Sequence, residues 1–96
     1  MKRTRFLPAA LAALLLAGPA LAQTPCYADY KARRDNPYEL HYGVMKLGSC
    51  NAQTAEAELR TRLAQAGWTL LNLVSIFKAD GLEQRKANAG ANYLRF

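Results

Sequence analysis

Cys26 and Cys50 are the only cysteines in this 96-residue chain, and they follow a segment with the pattern of an export leader. Lys2, Arg3 and Arg5 give that segment a basic start, and Phe6 to Leu16 is apolar apart from Pro8. Gly18-Pro19 then breaks any helix ahead of Ala20-Leu21-Ala22, a small-x-small cleavage signature. The expectation is a leader over 1–22, cleaved after Ala22, and one periplasmic or secreted domain over 23–96. The apolar run falls short of the roughly 20 residues of a bilayer crossing, so no stable membrane span is expected after cleavage. Cys26 lies too far past the small residues to be a lipoprotein cysteine. In an oxidising compartment two cysteines pair, and a Cys26–Cys50 disulfide would close a loop of about 25 residues, worth roughly 3–4 kcal/mol. A domain this small buries only about 60% of its unfolded surface, so the staple restricts the fold to those that bring residues 26 and 50 together.

Composition changes once the leader is set aside. The 74 residues from Gln23 onward hold 10 basic and 7 acidic side chains, a net charge of +3, against +6 for the whole chain. Of these 74, 34 are hydrophobic, an ordinary globular share that excludes a disordered tail.

Along the remaining chain, Cys26 to Asp35 (CYADYKARRD) carries Tyr27 and Tyr30 three apart, which predicts a short helix ended by Asn36-Pro37. Tyr38 to Leu47 alternates, with Leu40, Tyr42 and Val44 on one side and His41, Gly43 and Met45 on the other, and reads as a strand. Ala52 to Ala66 is the clearest helix: Ala55, Leu59 and Leu63 recur every four residues, with Asn51 or Thr54 as N-cap and Gly67 at the left-handed closing position. Glu56–Arg60 and Glu58–Arg62 are acid-before-base pairs on its exposed face. Trp68 to Phe77 (WTLLNLVSIF) is apolar on both sides and predicts a central strand. Leu82 to Ala89 predicts one or two helical turns capped by Asp80 and ended by Gly90, and Asn92 to Phe96 a short last strand. The expected fold is a small α+β domain in the order helix-strand-helix-strand-strand. It has one three-stranded sheet, helices packed on one face and one disulfide. The first and second strands form a parallel pair or are split by the last.

The run Leu63-Ala64-Gln65-Ala66-Gly67-Trp68-Thr69-Leu70, with Val74, Ser75 and Tyr93-Leu94-Arg95 further on, resembles a small bacterial domain family of unknown function. The family's core is a helix ending in Gly, then Trp, then a strand with Leu two places on; its more usual Glu after Trp is Thr69 here. The CYADYKARRDNP segment is similar to that of short exported hypothetical proteins of Gram-negative bacteria. The resemblance implies the fold and no activity. In physical terms, Gly67 permits the positive φ that turns helix onto sheet, and Trp68 is a core anchor at that junction.

Chemistry-bearing residues are sparse. His41 is the only histidine, no CxxC or GxSxG is present, and the glycines stand singly, so no metal, phosphate loop or other cofactor is expected and no catalytic residue is assigned. Lys31, Arg33 and Arg34 form one basic cluster beside Tyr27 and Tyr30, and Arg85-Lys86 another. Asp29, Asp35 and Glu83 dilute them, and export removes the protein from nucleic acid, so both read as solvated faces with weak attraction to anionic surfaces. An interaction protein is the leading expectation, binding a protein partner or forming a homodimer through a sheet edge. The alternative is a small periplasmic enzyme or ligand-binding protein using His41, Tyr42, Arg33 and Arg34.

Overall fold

The computed structural model describes residues 24–96; the expected leader and its cleavage site lie outside them. The elements are β1 (Cys26–Arg34), β2 (Glu39–Leu47), α1 (Ala52–Gln65), β3 (Thr69–Lys78) and α2 (Glu83–Ala89). Single tight turns over Ala79–Gly81 and Gly90–Asn92 flank α2. The strands form one antiparallel sheet in the order β2-β1-β3, and Cys26 and Cys50 are bonded. The α+β class, the three-stranded sheet and the disulfide are as the sequence predicts, but the first element of the described residues is a strand.

The first segment is the principal correction. CYADYKARR is the central strand, not a helix. The spacing of Tyr27 and Tyr30 suits a helix, but the stronger period is two. Cys26, Ala28, Tyr30 and Ala32 are all buried in the core cluster, and Tyr27, Asp29 and Lys31 fall between them. Ala, Asp, Lys and Arg have little strand preference of their own; pairing on both flanks overrides it. Residues 35–38 turn the chain into β2, in register from Cys26 opposite Leu47 to Arg34 opposite Glu39.

β2 and β3 run in the same direction with a strand between them, one of the two arrangements expected, but the filler is the first segment instead of the last. Residues 92–96 contribute only a parallel bridge, Tyr93 to Val44, because Leu94 takes a left-handed backbone (φ 54°) that ends the extended run. β3, expected in the centre, is an edge strand. Its register against β1 slips at two places, leaving Val74 and Leu71 without partners; they are 46% and 48% exposed.

α1 behaves as its pattern dictates. Ala55, Leu59 and Leu63 are buried, and the Asn51 side chain accepts from the Thr54 N–H at 2.9 Å. Gly67 has φ 88°, and Glu56–Arg60 and Glu58–Arg62 pair at 3.0 and 2.7 Å. Trp68, 7% exposed, joins the core between α1 and β3. The short α2 departs from expectation in two ways. Leu82, with no side-chain cap, precedes it where Asp80 was expected to cap. It also lies across the sheet from α1: Arg85 meets Phe77 and Asp29, which point away from the core cluster. Helices thus cover both faces, because Val44 and Asp29 need shelter on the second side.

Candidate functional site

The alternation of β1 and β2 distributes the candidate side chains between two sides of the sheet. His41 and Arg34 lie on the α1 side; Tyr42 and Arg33 lie on the other, and the four do not converge. Arg33 reaches Asp35 at 3.3 Å, and Arg34 pairs with Glu39 while its guanidinium lies 4.6 Å from the Trp68 ring centre.

On the α1 side the sequence builds an aromatic box. Tyr30 stands opposite Gly43, whose missing side chain lets the tyrosine ring pass over β2, since a Cβ there would come within 2.4 Å of the Tyr30 oxygen. The Tyr30 hydroxyl thereby meets His41 Nε2 at 2.9 Å. Trp68 packs edge-on to the imidazole at 4.2 Å between centres, and Phe96 stacks on it at 5.7 Å. His41 Nδ1 is buried and has no hydrogen-bond partner. Burial, with Arg95 and then Arg34 adding positive potential, holds the imidazole pKa below its ordinary 6.5. Burial pushes the Tyr30 hydroxyl up to about 12, against the opposing pull of Arg95 and Arg62.

On the other side Asp29, 4% exposed, is the buried charge of the described residues. Its carboxylate accepts from Ser75 Oγ at 2.6 Å, from the Tyr42 hydroxyl at 2.7 Å and from Arg85 Nε at 3.1 Å. Burial alone would raise its pKa; the hydrogen bonds from Ser75, Tyr42 and Arg85 and the Arg85 charge outweigh that and lower it. Tyr42 is pushed up to about 12 by burial and by the adjacent carboxylate, so it stays a donor. Beyond this knot an open trough of about 320 Å³ is lined by Lys31, Ala32, Leu40, His41, Tyr42 and Leu71, so His41 and Tyr42 both border it although their side chains leave β2 on opposite sides.

Neither side presents an activated nucleophile. Ser75 donates to a carboxylate whose lowered pKa makes it a poor base, and His41 is across the sheet from that serine. Among the described residues no group of three His, Cys, Asp or Glu is placed to hold a metal ion, and no helix is long and apolar enough to cross a membrane.

The two sheet edges differ. The outer edge of β2 is partly taken: Val44 O accepts from the Leu94 N–H at 2.8 Å, and Lys46 O accepts from Arg62 at 2.9 Å. The outer edge of β3 has no paired strand among the described residues. Reading the sequence alone misses Asp29, Ser75 and Arg85 as a unit, because three elements assemble it. Asp29 falls on the outward phase of β1's alternation, where an acidic residue reads as solvated, so the segment itself gives no signal. A scan of protein-family models and searches of curated proteins and of solved structures find no match to this chain.

Proposed function

We propose that this is an exported interaction protein that works by pairing strands along the free edge of β3, and that the strand it takes is β3 of a second copy. The observation that carries the reading is the composition of that edge. Ten residues long, TLLNLVSIFK has Lys78 as its single charge, with Leu71 and Val74 half-exposed in the middle. Edges are normally blunted by interior charge, by proline or by a covering segment, and this one has none of these among the described residues. Bulges twist an edge away from strangers; a second copy carries the same twist.

Antiparallel pairing about the middle of β3 would set the first half of each strand against the second half of the other, with Lys78 toward the Thr69 end of its partner. The two Lys78 side chains would then lie about 30 Å apart, with no like charges facing. The interface is isologous, as closed dimers require. The +3 charge of residues 23–96 adds a weak attraction to anionic cell-surface polymer.

Light scattering coupled to sizing tests the reading. The expected result is a dimer that becomes a monomer in Leu71→Lys/Val74→Lys with the circular dichroism of the sheet unchanged. A wild-type monomer at every accessible concentration overturns it. Fractionation by osmotic shock tests export independently, the expected product being a chain that begins at Gln23 in the periplasmic fraction.

A further inference from the structure

We propose that Tyr93–Phe96 is an acid-released clasp over the outer edge of β2, with His41 as its latch. The inference goes beyond pairing at the β3 edge and stands without it. The clasp has two fastenings: the Tyr93–Val44 bridge, made by the Leu94 N–H on Val44 O, and Arg62 on the Phe96 main-chain oxygen. Its hold is under backbone tension, since Leu94 is a non-glycine residue at φ 54°, a disfavoured conformation that persists only while its surroundings enforce it. Phe96 is also one wall of the box around His41.

Neutral imidazole makes one hydrogen bond, to Tyr30, and leaves Nδ1 unpartnered but uncharged. Protonated, it carries N–H donors on both nitrogens, and Nδ1 is buried with no acceptor. Among the described residues, the side-chain carboxylates nearest the box are already paired. From β1 come Tyr30 and Arg34; from β2, Glu39, which is held by Arg34; from α1, Arg62, which is paired with Glu58; and from the last residues, Arg95. Trp68, ahead of β3, supplies only its ring edge. The least costly relief is local: the short segment bearing Phe96 swings out, water reaches Nδ1, and the backbone of Val44 is left free to accept another strand.

The sign follows from linkage. The closed state holds the imidazole below its ordinary value, so the clasp is fully favoured above about pH 6.5 and loses stability as pH falls below that value. A second sheet edge would thus be uncovered by mild acid.

Hydrogen exchange of the Leu94 amide reads the clasp directly. After correction for intrinsic chemistry, its protection should fall by at least about threefold between about pH 7.5 and about pH 5. The emission of Trp68, the only tryptophan, should change with the same midpoint. In His41→Phe the amide should stay protected across the window, and in Phe96→Ala it should be unprotected at both ends. If His41→Phe does not fold, His41→Gln, which keeps a polar contact for Tyr30 and takes no charge, carries the same expectation. Unchanged wild-type protection, or an equal loss of protection in the His41 variant, overturns the proposal.

Discussion

A methyl group at position 43 would have nowhere to go. It would meet the Tyr30 oxygen at 2.4 Å and the ring carbon that bears it at 2.5 Å, and that ring is fully buried. Gly43→Ala should therefore cost about 1–3 kcal/mol, read as a lower urea midpoint with an unchanged slope. The requirement comes from the ring, not from the glycine's own dihedral angles. Asp29 is the converse case, a residue whose partners need it. Asp29→Ala would strand Tyr42, Ser75 and Arg85 and should cost about 3 kcal/mol. The gentler Asp29→Asn isolates the charge. Because the folded carboxyl titrates below its ordinary 3.8, the wild type holds this stabilisation in full above that value and loses it as pH falls further. Asp29→Asn should flatten that acid limb in a pH series of thermal melts. Neither residue stands out in the sequence. A lone glycine and a lone aspartate are common, and only the cross-strand partners give them meaning.

At the scale of elements, local signals and tertiary ones separate cleanly. α1 was legible because every device acts within a few residues: the four-residue apolar stripe, the Asn51 cap and Gly67 beyond the end. Asn51→Ala should lower stability by about 1 kcal/mol, measured by chemical denaturation, with the loss confined to α1 in amide exchange. β2 and β3 were legible from alternation and from aliphatic density. β1 was not, because its tyrosines three apart imitate a helical face while Ala28 and Ala32, too small to mark a stripe, carry the true period. β3 looked central because it is apolar on both sides, yet it sits on the rim with that apolar surface half uncovered. The candidate site was legible only as a residue set. His41 and Tyr42 are neighbours in sequence, and strand alternation alone sends them to opposite sides of the sheet.

For the molecule as a whole, the disulfide is a covalent tie anchored in the core at Cys26. It joins the first residue of the central strand to the residue just ahead of the α1 cap, fixing helix to sheet. Replacing both cysteines by alanine should cost about 3 kcal/mol, seen as a lower melting temperature that reductant no longer changes. The feature with the widest reach is that the middle of the sheet is built from the first strand of the described residues. Ribosomes and translocation channels deliver polypeptide amino end first. The β1–β2 hairpin can therefore zip up early, while the opposite flank of β1 waits, its amides and carbonyls bare, until Thr69–Lys78 arrives more than thirty residues later. Any escort this chain meets on its route would find that waiting flank the most adhesive part of the nascent molecule, and the arrival of β3 would be the moment of release.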